Sequence, residues 1–210
     1  EFKNLRVIGV CSEYASGIKE VNVLMLNNSD VPGAKLLVFL GSSIGNLDPV
    51  QVQIFLTALK EQMNYRDAIL IGFDLQKETA ILENAYNDKA GITAHFNLNL
   101  LARINRELHA QFNLSFFRHE AFYNVDQQRI EMRLVSTCDQ SVFIRGLGAH
   151  FSFKKDERIH TENSYKFSLD GINKLAIASG LRVIKNYTDS QNLYCLSLLS
   201  RVPDTPETGK

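Results

Sequence analysis

Lys35-Leu-Leu-Val-Phe-Leu-Gly-Ser-Ser-Ile-Gly-Asn46 decides the fold. Its opening run is almost continuously apolar, which suits a strand buried on both faces of a parallel sheet. The run stops at Gly41, and Asp48-Pro49 then reads as an N-cap with proline at the first helical position. Val52, Phe55, Leu56 and Leu59 keep helical spacing and predict a helix to about Met63. A second apolar run, Ala68-Ile-Leu-Ile-Gly-Phe73, follows Asp67. Strand, helix, strand in this order is a βαβ unit, so the fold class is α/β.

Upstream, Leu5–Val10 is a short β-branched run that predicts a strand. A polar stretch with Glu13-Tyr14 follows, and residues 19–34 read as irregular up to the turn signal Val31-Pro-Gly33. Downstream, residues 77–86 and 91–109 predict helices. Short alternating segments at 129–135, 141–145, 149–153 and 158–162 predict an antiparallel meander. Ser168 caps a further helix, which Gly180 ends in the C′ position. Strands at Leu181–Tyr187 and Leu193–Leu199 close the chain. An α/β layout is thus interrupted by an α+β insertion. The expected domains are 1–75 with 167–210, and an inserted 76–166.

The 210 residues are 45% hydrophobic and 22% charged, with a formal net charge of zero. No basic excess points to nucleic acid or to an anionic membrane. Cys11, Cys138 and Cys195 lie far apart, without metal-ligand spacing. Sparse, odd-numbered cysteine fits a reducing compartment, and a cytoplasmic protein is expected. The five histidines show no ligand spacing either, so no metal is expected. No stretch approaches the roughly 20 apolar residues that span a bilayer. The chain opens on Glu-Phe-Lys-Asn without an initiator Met, and reads as part of something longer.

Four places can carry chemistry. Gly41-Ser-Ser-Ile-Gly-Asn46 follows the carboxyl end of a strand, where ligands bind in open α/β sheets. The competing reading is a tight strand-to-helix turn. Glu162-Asn-Ser164 lies at a strand end, and residues two apart point the same way. A carboxylate and a hydroxyl so placed suit an imidazole, whose two ring nitrogens need partners. The plainer alternative is a solvated carboxylate beside a turn. Tyr86 offers a hydroxyl and Glu13 an acid, though a tyrosine at a helix end usually packs and an isolated acid is usually solvated. Glu131-Met-Arg-Leu134 reads as strand with an outward charge.

Taken in order, these segments resemble the histidine-specific α-N-methyltransferases of ergothioneine biosynthesis. The resemblance rests on Phe39-Leu-Gly-Ser-Ser-Ile-Gly-Asn-Leu47, Ile71-Gly-Phe-Asp-Leu75, Ala85-Tyr-Asn-Asp88 and Asn105-Arg-Glu-Leu108. It continues through Ile130-Glu-Met-Arg-Leu-Val-Ser136 and Ile159-His-Thr-Glu-Asn-Ser-Tyr-Lys-Phe167. It implies the C-terminal part of a Rossmann-like class I methyltransferase sheet with an inserted α+β substrate domain. It implies S-adenosylmethionine as cofactor and L-histidine, or a related amino acid, as substrate. By position, Asn46 and Tyr86 would hold the amino-carboxylate end with Gly41 at the pocket floor, Glu162 and Ser164 the imidazole, and Met132 the pocket wall. Glu13 and Tyr14 would meet the adenine, with Glu13 standing where the family has Asp. The cofactor's glycine-rich first loop and its ribose-binding acid would lie upstream of Glu1, leaving this chain alone a poor cofactor binder. A different amino-acid acceptor, or a binding module without turnover, are the alternatives.

Overall fold

The computed structural model describes residues 7–26 and 33–202. Helix α1 (Tyr14–Leu26) occupies much of the stretch expected to be irregular. Its inner face is short: Tyr14, Ile18 and Asn22 recur every fourth residue. Ile18 packs on the main core, and the Asn22 amide donates to the Gln62 carbonyl at 3.2 Å. The expected strand at Leu5–Val10 is not formed at residues 7–10, and its first two residues lie outside the described region.

Strand β1 (Leu36–Phe39), helix α2 (Pro49–Glu61) and strand β2 (Ala68–Asp74) form the predicted βαβ unit, with β1 and β2 parallel. Asp48 and Gln51 close a capping box at the start of α2. The face made by Val52, Leu56 and Leu59 covers Ile69, Ile71 and Phe73 of β2. β1 departs from the expected two-sided burial: Leu36 and Val38 are 56% and 53% exposed. Among the described residues β1 pairs only with β2, so only Leu37 and Phe39 reach the core.

The middle of the chain builds a second sheet. Helices α3 (Thr79–Tyr86) and α4 (Ile92–Leu108) pack on strands β3 (Phe117–Asn124), β4 (Arg129–Ser136) and β7 (Arg158–Tyr165), in the order β3-β4-β7. β3 was not anticipated, because Arg118-His-Glu120 breaks its apolar alternation. Nor is the region a simple meander. Strands β5 (Gln140–Ile144) and β6 (Ala149–Phe153) leave to form their own two-stranded sheet before β7 returns beside β4. β7 runs to Tyr165, three residues past the predicted end, so Glu162 and Ser164 lie within the last four residues of the strand.

Helix α5 (Leu169–Ala178) is capped by Ser168, whose hydroxyl accepts from Gly171 N, and ends before Gly180 at φ +70°. Strands β8 (Leu181–Thr188) and β9 (Tyr194–Arg201) form the terminal hairpin. β9 runs antiparallel to β2, giving the order β1-β2-β9-β8.

On β4, Glu131 does not carry the outward, solvated charge expected of it. Its side chain is 4% exposed, held by Arg129 at 2.8 Å, Arg133 at 2.6 Å and the Asn124 amide at 2.9 Å. No helix among the described residues is long and apolar enough to cross a membrane.

Candidate functional site

The carboxyl ends of β1 and β2 meet the end of β7, and the candidate residues gather there. After β1 the chain turns sharply: Gly41 has φ +79° and Ser42 φ +56°. Glycine tolerates that left-handed conformation without a Cβ penalty. The Ser42 hydroxyl accepts from Asp74 N at 2.9 Å, tying the turn to β2. A short 3-10 turn, Ser43–Asn46, then lies against β7, with Ile44 and Gly45 buried and Asn46 exposed.

Gly45 sets how closely that turn approaches. A Cβ there would stand 2.9 Å from the Tyr165 carbonyl oxygen and 3.6 Å from Ser164 Oγ. The obstacle is backbone, which cannot swing aside. Gly45→Ala is expected to cost about 1–3 kcal/mol in urea unfolding and to move Asn46 away from Ser164. An unchanged unfolding midpoint would mean that the turn has slack.

β7 presents Glu162 and Ser164 toward this junction, with Lys166 just past the strand's end. Ser164 is opposite Ile130 and Glu162 opposite Met132, so both share the face of β4 that packs under α3. Met132 is buried with Leu82, Ala121, Tyr123 and Ile130, and Tyr86 packs against that cluster. Thr161 is an extra residue in β7: Met132 pairs Glu162, but its neighbour Arg133 pairs His160. This is a β-bulge, a device that re-aims side chains.

Around Ser164 the polar groups are closely linked. The Tyr86 hydroxyl donates to Ser164 Oγ at 2.8 Å. Lys166 Nζ donates to Ser164 Oγ at 2.8 Å and to the Tyr86 hydroxyl at 3.0 Å, and pairs with Asp74 at 2.8 Å. The Lys166 side chain is wholly buried. Asp74 also pairs with Lys77. Tyr86 is in turn held from behind, since its carbonyl accepts from His119 Nε2 at 2.8 Å.

Glu162 differs from these neighbours. It makes no ion pair and no side-chain hydrogen bond among the described residues. Burial pushes its carboxyl above the usual range, and the pull of the Lys166 charge only partly offsets this. A desolvated carboxylate without a partner is suited to a ligand that brings an N–H.

Glu13 and Tyr14 stand apart from this cluster, at the start of α1. Glu13 is exposed. The Tyr14 ring meets Phe39 edge-on at 5.4 Å and Phe55 at 6.0 Å, so it sits at the carboxyl end of β1, on the ligand side of the sheet. Among the described residues there is no glycine-rich cradle for the rest of a nucleoside cofactor.

Asp74 and Lys166 lie outside the sequence reading, whereas Ser42 and Gly45 belong to the turn Gly41–Asn46 that it singled out. For Lys166 a signal existed: Glu162, Ser164 and Lys166 alternate, as residues on one strand face do.

A family described as "Histidine-specific methyltransferase, SAM-dependent" matches residues 1–201. A "Histidine N-alpha-methyltransferase" of Mycolicibacterium smegmatis is 37% identical over 201 residues, 96% of this chain and 60% of that protein. The protein of the same description from Mycobacterium tuberculosis is 38% identical over the same shares. "Ergothioneine biosynthesis protein 1" of Neurospora crassa is 31% identical over 170 residues, covering 80% of this chain and 19% of that one. The chain thus spans about 60% of the length of the two mycobacterial relatives. With its α/β sheet, its glycine turn after β1 and a match along nearly its whole length, the chain belongs to the S-adenosylmethionine-dependent, histidine-specific methyltransferase family.

Proposed function

We propose that the protein methylates the α-amino nitrogen of L-histidine in the cytoplasm, with residues 76–166 as the inserted substrate domain. The observation that carries this reading is the pairing of Glu162, a carboxylate without a partner, with Ser164 on one strand face. An imidazole offers one N–H and one bare nitrogen, and the two side chains supply an acceptor and a hydroxyl. Met132 walls the ring. Asn46, at the end of the glycine turn, offers donor and acceptor to the amino-carboxylate end, with Gly41 at the floor. Tyr86 gives its proton to Ser164 and accepts one from Lys166, so what its hydroxyl has left for the amino-carboxylate end is a single lone pair. That suits the amine better than the carboxylate.

Glu13 and Tyr14 would hold the adenine end of S-adenosylmethionine, which supplies an activated methyl group on a sulfonium. The residues of this chain then have a modest chemical task. A free α-amine has a pKa of about 8, so a neutral fraction exists near neutrality and no strong base is needed. Holding the imidazole at Glu162 and Ser164 fixes where the amine stands, and alignment is what an in-line displacement requires.

The test is mass spectrometry of the full-length gene product incubated with S-adenosylmethionine and a panel of amino acids. Histidine carrying up to three added methyl groups is expected. A folded full-length protein that methylates other amino acids but not histidine would overturn the assignment.

A further inference from the structure

Lys166 is wholly buried and reaches no ligand itself. An ammonium has three protons, and here all three are used, on Asp74, Tyr86 and Ser164. Its effect passes to Ser164. A serine hydroxyl has two lone pairs and one proton. Both lone pairs of Ser164 Oγ are occupied, by the protons of Lys166 Nζ and of the Tyr86 hydroxyl, each at 2.8 Å. The direction of the second bond follows from acidity, since a phenol is the more acidic hydroxyl and the better donor. Ser164 can therefore accept nothing more. Its own proton has no acceptor among the described residues, so what remains is a donor.

We propose that Lys166 is a positioning residue that fixes the polarity of Ser164, making it a donor only, so that the site reads one protonation pattern of the substrate ring. This rests on the reading of Glu162 and Ser164 as the imidazole contacts. The ring that satisfies both has a bare nitrogen toward Ser164 and an N–H toward Glu162. A ring with an N–H toward Ser164 meets a proton with a proton. Asp74 completes the device by holding the lysine from the β2 side, so the polarity is set where the two sheets join.

Two ring analogues separate this from a merely structural lysine. In the pyrrolylalanines a single N–H replaces the imidazole nitrogens, at one ring position in the 2-isomer and at the other in the 3-isomer. One isomer presents its N–H to Glu162, the other to Ser164. Calorimetric titration of the full-length gene product should show one isomer bound more tightly by about tenfold or more, because the other buries two opposed donors. In Lys166→Met the Ser164 hydroxyl regains a lone pair and can turn, so the ratio should fall to within about threefold, even if both affinities drop. A lysine that only supports the fold would weaken both isomers alike and leave the ratio unchanged, which would overturn the proposal. Should Lys166→Met not fold, Tyr86→Phe frees the other lone pair and should also lower the ratio; an unchanged ratio there counts equally against it. Wild-type protein that binds histidine but both isomers equally would refute the polarity and spare the histidine assignment. Wild-type protein that binds neither histidine nor an isomer would refute both.

Discussion

Glu162→Ala is expected to weaken histidine binding by about tenfold or more while leaving cofactor affinity nearly unchanged. The ring N–H would lose its acceptor, and Ser164 would be left to hold the imidazole alone. Titrating the full-length gene product separately with histidine and with S-adenosylmethionine reads this directly. An equal loss of both affinities would mean that Glu162 serves the fold instead. A second effect runs the other way. Burial raises the Glu162 carboxyl above its ordinary value of 4.5, so the folded state holds that proton more tightly than the unfolded chain does. Its contribution to stability is therefore most favourable at low pH and turns into a cost as pH rises through the raised value. Glu162→Gln, uncharged and of the same shape, should melt a few degrees higher than wild type at neutral pH without ligand. A binding group kept at the expense of stability behaves in this way.

Glu131→Ala should be the most destabilising single change in the second sheet, by about 3 kcal/mol or more, because it leaves two guanidinium groups facing each other without their shared anion. Arg129 is further held by the Tyr165 hydroxyl at 2.7 Å, and Arg133 lies 4.4 Å over the Phe122 ring, so neither is free to leave. Burial alone would raise the Glu131 carboxyl, but hydrogen bonds from Arg129, Asn124 and Arg133 outweigh it and hold the value at about 2. The sign follows from its lying below the ordinary 4.5. The stabilisation is complete above about pH 4.5 and fades as pH falls from there through 2. Chemical denaturation at pH 7 and pH 3 should show the wild type losing stability on acidification, with the Glu131→Ala difference shrinking. A difference that stays constant would place the effect in packing instead of charge.

Much of the first sheet was legible because its signals are local. An unbroken apolar run, a capping Asp before Pro49 and a glycine at position 180 each act within one turn of the chain. Helix α1 was not legible, because the face it turns inward is only Tyr14, Ile18 and Asn22, none of them fully buried and one of them polar. β3 was hidden for a similar reason: Phe117, Ala121 and Tyr123 face the interior, but Arg118, His119 and Glu120 stand together between them. In the site, Glu162 and Ser164 could be read from strand alternation. The same alternation reaches Lys166, but a lysine is normally solvated, and its burial depends on three acceptors from β2, α3 and β7 that no local pattern shows. The closeness demanded of Gly45 likewise depends on a strand more than a hundred residues away.

The extra residue at Thr161 has an evolutionary consequence. A strand obeys a two-residue rhythm, and in a regular strand His160 and Glu162 would point the same way. Here His160 turns toward Glu131 on one side, while Glu162 and Ser164 turn toward Met132 and Tyr86 on the other. One supernumerary residue divides β7 into two stretches of opposite phase: the first committed to the hydrophobic core and charged face, the second to recognition. Lineages can therefore change which ring the pocket accepts by altering the second stretch, with the first left untouched. A lineage that dropped Thr161 would still pair His160 with Arg133 and Glu162 with Met132, so its recognition side chains would keep their side and only the local bend of the bulge would go.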